Sequence, residues 1–454
     1  MTIEAPGVPA PEPEPEPQPI QDPAQESAPE LTAEPPPAPP PEPLRPVSTS
    51  ERVETIDILR GLALFGILAA NIRGFSGPPI TYFRPDMFWT AMQDRIAQAF
   101  IDTFVQGKFI TIFAFLFGVG FAVQFDRATA RTGKFGWTFA RRQFVLLLFG
   151  LIHGLLIWFG DILLAYALSG FCLLLFRKRK NKTLAIWAVI FLSIIPLLGT
   201  AFFVGTRFGA RPPNPPKTDP AAVAKAAAVY ENGSWLDIQQ YRQKDAVRYN
   251  WAFIPILFFQ VQGLFLLGVL AWRKRFFQPS PESLPRYRKW MWWGLAIGVA
   301  GNVTMTVAMR ILGPNAMPKT WLGFSLVPIR MIAVPALSLG IICAVILLCH
   351  DPVWRARLQR FGAVGRTALT NYLLQSVIGT LIFYSYGLGL FGIGPALLLP
   401  MTVVIFAAQL YASAWWVARY RFGPVEWLWR RLTYKGPLPM RREPLAAAPE
   451  QVAA

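Results

Sequence analysis

His153 and Asp161 are the two side chains best suited to moving a proton in this chain. They lie in the stretch FGLIHGLLIWFGDILLAYALSG, where most other side chains are apolar. An imidazole changes charge near neutral pH and often serves as a general base, so His153 is the candidate proton-transfer residue and Asp161 its candidate helper. Eight residues separate the two. A continuous helix would hold them about 12 Å apart, which argues against a direct contact.

Purely structural roles are open to both side chains as well. Asp161 stands where a helix is predicted to begin, so it would cap that helix. His153 lies beside Gly150 and Gly154, where a neighbouring helix can approach closely and accept a hydrogen bond. An unpaired polar group in an apolar layer costs several kcal/mol, so either role requires a partner for the imidazole.

Charged residues also stand at both ends of the apolar stretch RVETIDILRGLALFGILAANIR. Asp57 and Arg60 are three residues apart and share one helical face. Asn71 falls near the same stripe, roughly 21 Å further along the helix, and Arg73 follows it. Helix capping by Asp57 and snorkelling by Arg60 would explain these charges. The alternative is a functional site, because ionisable groups in a membrane segment are expensive.

A third set of polar residues lies in the stretch GRTALTNYLLQSVIG. Thr367, Asn371 and Gln375 follow one another at i, i+4 spacing, with Arg366 beside the first of them. Lipid offers no hydrogen bonds, so this stripe must face other helices or a cavity. Hydrogen bonds between helices and the binding of a polar ligand are both open interpretations.

Composition indicates that these groups belong to a membrane protein. Of the 454 residues, 53% are hydrophobic and 15% are charged, against about 25% charged in soluble domains. A net charge of +18 would suggest nucleic acid as the partner of a soluble protein. Basic loops beside anionic lipids explain the charge here, and no nucleic-acid motif competes with that. Three scattered cysteines fit neither a zinc site nor a disulfide framework, and we expect no bound metal or cofactor.

Apolar runs of membrane-spanning length recur along the chain and predict an all-α, polytopic fold with about ten transmembrane helices. The predicted spans are 56–73, 109–126, 143–159, 161–176, 184–205, 251–272, 290–312, 324–349, 367–388 and 394–418. Between the first two, residues 86–107 mix aromatic side chains with Asp94, Arg95 and Asp102, which is typical of an amphipathic helix at the interface.

The rest of the chain divides by composition. Residues 1–50 are rich in Pro, Glu and Ala and predict a disordered tail, followed by a membrane domain over 51–435 and a second tail over 436–454. Residues 206–250 predict an outer cap containing a polar helix with Trp235 and Tyr241.

Lys and Arg in alternate links predict the orientation. The links that contain several of them are 127–142, 177–182, 273–289 and 350–366. By the positive-inside rule these lie in the cytoplasm, which places both termini there and the protein in a bacterial inner membrane.

The polar residues then form two predicted layers, an arrangement that suits the handling of a polar or anionic molecule across the bilayer. The cytoplasmic layer comprises Asp57, Arg60, Arg127, Arg141, Arg366 and Asn371. The outer layer comprises Asn71, Arg73, Lys108, His153, Asp161 and Arg330.

Several longer segments carry a resemblance to a known family. TIDILRGLALFGILAANI, GKFITIFAFLFGVGF, RRQFVLLLFGLIHGLLIWFGDILLAYALSG and GRTALTNYLLQSVIGTLIFYSYGLGLFG resemble the YeiB-like family, bacterial inner-membrane proteins that share domain of unknown function 418. The resemblance covers about residues 52–435. It implies a polytopic fold and an inner-membrane location more firmly than any chemistry.

The opening R…D…LRG of the first span is also similar to that of membrane acyltransferases, including the heparan glucosaminide acetyltransferase group. That similarity implies transfer of an acyl group from cytoplasmic acyl-CoA to an acceptor across the membrane. Arg52, Asp57 and Arg60 would match the motif. The glucosaminide group places a catalytic histidine after its first span, whereas residues 61–152 here contain none, so the similarity does not assign the base.

For acyl transfer, the candidate catalytic residues are His153, Asp161 and Asp57. The polar residues near the span ends would bind the substrate: Arg60, Asn71, Arg141, Arg366, Asn371 and Gln375. The arginines would hold the phosphates of acyl-CoA, and the partners would be membrane lipids and a polar or lipid-linked acceptor. The alternatives are a transporter or lipid translocase, in which His153 couples proton movement, and a non-catalytic scaffold.

Overall fold

A computed structural model describes residues 53–79, 85–131, 135–208, 220–245, 251–312, 321–434 and 437–442. The predicted tail over 1–50 and the tail over 436–454, apart from residues 437–442, lie outside the described residues, as does Arg52. Every regular element in the described ranges is helical, and an isolated β-bridge joins Tyr420 to Arg441.

The helices are numbered in chain order. The first eight are α1 (Glu54–Asn71), α2 (Arg73–Ser76), α3 (Met92–Phe100), α4 (Lys108–Arg131), α5 (Gly136–Ile152), α6 (Leu163–Leu173), α7 (Asn181–Arg207) and α8 (Pro220–Asn232). The others are α9 (Trp235–Asp245), α10 (Trp251–Arg273), α11 (Leu284–Leu312), α12 (Trp321–His350), α13 (Pro352–Arg366), α14 (Ala368–Phe383), α15 (Pro395–Arg419) and α16 (Pro424–Thr433). Short π-helical turns cover Ile101–Val105 and His153–Ile157.

The predicted all-α membrane fold is confirmed. Among the described residues, eight helices are long and apolar enough to cross a membrane, and two further apolar helices, which contain α6 and α14, are shorter. Each of the ten predicted spans corresponds to one of these helices. The link predicted over 350–366 is instead the helix α13, because the Asp351 carboxylate accepts hydrogen bonds from two backbone amides and caps its first turn.

The amphipathic segment predicted over 86–107 contains α3 and the π-helical turn that follows it. One face carries exposed apolar side chains at four-residue spacing: Met92, Ile96, Phe100 and Phe104. The other face is held to the bundle, since the Asp94 carboxylate accepts a hydrogen bond from the amide of Ala396 at 3.0 Å. Such an exposed apolar stripe is typical of a helix that contacts lipid.

We name the two ends of the bundle by their residues. The basic end carries Arg177, Arg273 and α16, and the Arg273 guanidinium donates to the carbonyl of Arg177 at 2.9 Å. The far end carries Trp158 and the start of α15, where Trp158 packs against Phe75 with ring centres 4.4 Å apart. The largest apolar cluster fills the space between α4, α5, α6 and α10.

Helices α1 and α13 pack closely where glycines face backbone. A Cβ atom built on Gly365 would lie 1.8 Å from the carbonyl oxygen of Asp57, and one on Gly61 would lie 2.0 Å from that of Phe361. Contact this close requires a residue without a side chain on each helix. The pairing fixes the start of α1, and therefore Asp57 and Arg60, against α13.

We expect Gly365→Ala to destabilise the protein by about 1–3 kcal/mol, because the added methyl group forces α1 and α13 apart. Gly199→Ala is the matched control, since nothing lies within 4 Å of a Cβ atom at that position in α7. Thermal melting of the purified protein in detergent measures both. If Gly365→Ala melts at the wild-type temperature, the described packing of α1 on α13 is wrong.

Candidate functional site

His153 and Asp161 are in direct contact in the structure. The π-helical turn His153–Ile157 ends in an extended residue, Trp158, and the chain then reverses into α6. His153 Nδ1 lies 2.8 Å from Asp161 Oδ1. The expectation that a helix would hold the two residues about 12 Å apart is wrong, because the helix is not continuous between them.

Asp161 combines the two roles that the sequence left open for it. One carboxylate oxygen contacts His153, and the other accepts the amide of Leu164 at 2.8 Å, which caps the first turn of α6. Gly150 permits this arrangement, since a Cβ atom there would lie 2.6 Å from the Leu164 nitrogen. Close packing of α5 on α6 therefore places the carboxylate beside the imidazole.

The second imidazole nitrogen contacts a serine that sequence analysis missed. His153 Nε2 lies 2.9 Å from Ser376 Oγ on α14. His153 is 0% exposed and Ser376 is 2% exposed, so both are closed off from solvent. Ser376 directly follows Gln375 but faces another direction, and the only sequence signal for it is its four-residue spacing from Tyr372.

A cavity of about 270 Å³ lies at the basic end of the bundle. Its charged lining residues are Asp57, Arg60, Arg127, Arg142, Arg366, Glu426 and Arg430, and its uncharged polar ones include Gln124, Thr138 and Tyr434. Its apolar and aromatic lining residues include Leu146, Leu163, Tyr166 and Tyr372. Helices from most of the chain contribute to it, so the cavity exists only in the folded bundle.

The cavity carries an excess of positive charge. Five arginines line it, against the carboxylates of Asp57 and Glu426. The Arg60 guanidinium donates to Asp57 at 3.1 Å, which offsets one arginine. Glu426 is engaged by the backbone amides of Leu369 and Thr370. A cavity of this composition favours an anion, and guanidinium groups suit phosphate in particular.

Tyr372 connects the cavity with the His153 site. It lines the cavity, and its ring centre lies 5.2 Å from that of His153. Its hydroxyl oxygen accepts a hydrogen bond from the amide of Ile162 at 3.4 Å. Ser376 lies one turn further along α14, about 6 Å beyond Tyr372. Tyr372 is therefore a side chain that the cavity and the buried histidine site share.

Arg142 takes the place predicted for its neighbour Arg141. The Arg141 side chain is exposed and lies outside the cavity lining, whereas Arg142 lines it and stacks on the ring of Trp429 at 3.8 Å. Adjacent residues on a helix point about 100° apart, so a shift of one position exchanges the interior for the surface.

The predicted polar stripe of α14 makes hydrogen bonds between helices. Asn371 Nδ2 donates to Ser413 Oγ at 3.0 Å, and Gln375 Nε2 donates to Gln409 Oε1 at 2.9 Å. Gln409 also donates to the Asn371 carbonyl oxygen at 3.1 Å. Neither Asn371 nor Gln375 lines the described cavity. Their geometry corresponds to the interhelical alternative.

Two of the other predicted outer-layer residues, Arg73 and Lys108, contact Asp102 instead of His153. Arg73 Nη1 lies 3.3 Å from Asp102 Oδ1, and Lys108 Nζ donates to the Asp102 carbonyl oxygen at 2.7 Å. Asn71 is partly buried at the end of α1, and Arg330 is exposed on α12. None of these four basic or amide side chains belongs to the described cavity lining.

The outer cap predicted over 206–250 contains two described helices, α8 and α9. Gln239 Nε2 donates to the carbonyl oxygen of Leu155 at 2.5 Å, and the fully buried Arg242 donates to that of Ile157. Both carbonyl groups belong to the π-helical turn that begins at His153. The cap therefore satisfies backbone groups at the end of α5 that the helix itself leaves unpaired.

We expect Glu426→Ala to lower the free energy of unfolding by about 1–2 kcal/mol, because the Glu426 carboxylate caps the first turn of α14. Its Oε1 accepts the amide of Leu369 at 2.6 Å, and its Oε2 accepts the Thr370 hydroxyl at 2.5 Å. Thermal melting in detergent measures the effect, with the exposed Glu282→Ala as control. Equal melting of the two variants would contradict the capping role.

Comparison with known proteins identifies relatives along almost the whole chain. The family described as "Protein of unknown function (DUF418)" matches residues 271–436. The uncharacterized protein YxaH of Bacillus subtilis (strain 168) is 37% identical over 410 residues, covering 86% of this chain and 96% of the relative. The uncharacterized protein YeiB of Escherichia coli (strain K12) is 32% identical over 407 residues, covering 85% and 97%.

An uncharacterized 39.9 kDa protein of Bacillus acidopullulyticus is 28% identical over 408 residues, covering 88% of this chain and 99% of the relative. No solved structure matches the chain. Similarity at this level over nearly the full length of the relatives establishes the predicted family. The chain belongs to the YeiB-like, DUF418 family of proteins.

Proposed function

We propose that the protein is a membrane acyltransferase that takes an acyl group from acyl-CoA at the basic end and passes it to a hydroxyl or amine acceptor. One observation carries the proposal: Tyr372 is part of the lining of the arginine-rich cavity, and its ring packs against that of His153, which is paired with the buried Asp161. The proposed anion-binding part of the site and the proposed proton-transfer part thus both contact Tyr372.

The cavity suits the donor by charge and by shape. The phosphates of acyl-CoA would meet the guanidinium groups of Arg60, Arg142 and Arg366, which line the cavity. The apolar inner lining, with Leu146 and Leu163, would receive the pantetheine arm and the acyl chain. We place the basic end in the cytoplasm of a bacterial inner membrane, where acyl-CoA is available, in accordance with the positive-inside rule.

The buried pair suits the proton transfer that acyl transfer requires. With its proton on Nδ1, the His153 imidazole donates to Asp161 Oδ1 and keeps Nε2 as a base. The carboxylate holds this tautomer and stabilises the imidazolium that forms when Nε2 accepts a proton. Asp57, which the sequence also suggested for catalysis, lines the cavity beside Arg60 and would position that arginine.

Thiol release from acyl-CoA tests the proposal. The purified protein is reconstituted in liposomes of bacterial phospholipid and supplied with acetyl-CoA or palmitoyl-CoA, and free CoA is measured with a thiol reagent. We expect release that saturates with donor and that increases when a hydroxyl or amine acceptor is present. Solute flux without thioester loss would replace the proposal with transport. The absence of both would overturn it in favour of a scaffold.

A further inference from the structure

We propose that Ser376 is a covalent nucleophile, so that the acyl group rests on Ser376 Oγ between donor and acceptor. This inference depends on the proposed acyl transfer and adds an intermediate to it. It follows from three side chains that are connected in sequence by hydrogen bonds: Ser376 Oγ lies 2.9 Å from His153 Nε2, and His153 Nδ1 lies 2.8 Å from Asp161 Oδ1.

This order of atoms is the one that activates a serine. The Asp161 carboxylate accepts a hydrogen bond from Nδ1, so the imidazole proton resides on that nitrogen. Nε2 is then free to accept the proton of the serine hydroxyl group. A nucleophile within hydrogen-bond distance of a base, with that base held by a third group, is the geometric signature of covalent catalysis. The three residues come from α14, the π-helical turn after α5, and the turn before α6, so packing alone brings them together.

Two other buried hydroxyl groups in the bundle show a different arrangement. Ser338 Oγ donates to the Val334 carbonyl oxygen at 2.9 Å, and Thr402 Oγ1 donates to that of Leu398 at 2.8 Å. Donation to the carbonyl four residues earlier is the usual way to satisfy a hydroxyl group in an apolar helix. Ser376 meets an imidazole nitrogen instead, which a purely structural role does not require.

The surroundings of Ser376 favour an ester intermediate. The Asp161 side chain is 2% exposed and the His153 side chain 0%, so the attraction between the Asp161 carboxylate and an imidazolium at His153 is strengthened by the low dielectric around them. Exclusion of water also protects an acyl ester from hydrolysis. Tyr372 lines the cavity and packs against His153, so we expect its ring to shift when the thioester carbonyl reaches Ser376 Oγ.

Two balanced steps follow. In the first, Ser376 Oγ attacks the thioester carbonyl carbon while His153 Nε2 takes the hydroxyl proton. The bond from carbon to sulfur breaks, and the CoA thiolate leaves and receives that proton. In the second, the acceptor hydroxyl or amine attacks the serine ester and transfers its proton to Nε2. The bond from carbon to Ser376 Oγ breaks, and the serine regains the proton.

Isotope exchange tests the intermediate without requiring that it accumulate. The full-length protein in liposomes is incubated with acetyl-CoA and radiolabelled CoA, with no acceptor present. We expect label to enter acetyl-CoA, and we expect exchange to fall at least about 1000-fold in Ser376→Ala. The control Ser338→Ala should exchange at the wild-type rate. Peptide mass spectrometry after rapid quenching should locate an acetyl group on Ser376, and Ser376→Cys should form a thioester that hydroxylamine cleaves.

The outcomes separate this inference from the proposed function. Two results overturn the serine intermediate and leave direct transfer in its place. The first is thiol release in the presence of acceptor without any entry of labelled CoA into acetyl-CoA. The second is an isotope exchange that persists in Ser376→Ala. If the wild type releases no thiol, the proposed donor is wrong. A small alkyl fluorophosphonate then tests the serine alone: labelling of Ser376 that His153→Ala abolishes supports the nucleophile, and the absence of labelling overturns it.

Discussion

His153→Gln should reduce thiol release from acyl-CoA by at least about 100-fold, the lower range of what a positioned general base contributes. Glutamine fills a similar volume and keeps hydrogen-bonding capacity for Asp161 and Ser376, but it does not accept a proton near neutral pH. The expected loss is therefore in kcat, with the KM for donor nearly unchanged. Steady-state kinetics of the reconstituted variant measure both quantities.

The other histidine supplies the control. His350 is exposed at the last position of α12, far along the chain from this site, so His350→Gln should retain wild-type kinetics. Asp161→Asn should lower kcat as well, because an amide in place of the carboxylate favours the wrong tautomer of His153. Wild-type turnover in His153→Gln, with the protein folded by size-exclusion chromatography, would exclude proton transfer by this residue.

Arg142→Ala should raise the KM for acyl-CoA about 10–100-fold, because a hydrogen bond to a charged group contributes about 1.5–3 kcal/mol. The change removes a guanidinium from the cavity lining, whereas kcat should change little once the donor is bound. Donor titration at constant ionic strength measures the effect. Arg366→Gln should act in the same direction, since that residue lines the same cavity.

Arg141→Ala is the matched control for this prediction. It removes the same charge one residue earlier, from an exposed position outside the cavity lining, so the KM should remain within about twofold of wild type. Arg142 also stacks on Trp429, so melting in detergent must show that Arg142→Ala is folded. Equal KM values for the two folded variants would show that the cavity does not bind the donor.

Much of the site was visible in the sequence as side chains that do not belong in an apolar run. His153, Asp161, Asp57 and Arg60 were identified in this way, and the structure places the first two in contact and the last two at the cavity. Ser376 was missed because a lone serine in a membrane helix is common and carries no charge to mark it.

The sequence by itself determined the helical membrane architecture, since a bilayer requires long apolar runs whose backbone groups are satisfied within each helix. Tertiary structure decided which face of each helix carries function. On α14 the stripe with Asn371 contacts other helices, while the face with Tyr372 and Ser376 meets the cavity and His153. Lipid and protein interior are equally apolar, so hydropathy does not distinguish these faces, and only the packing of neighbouring helices assigns them.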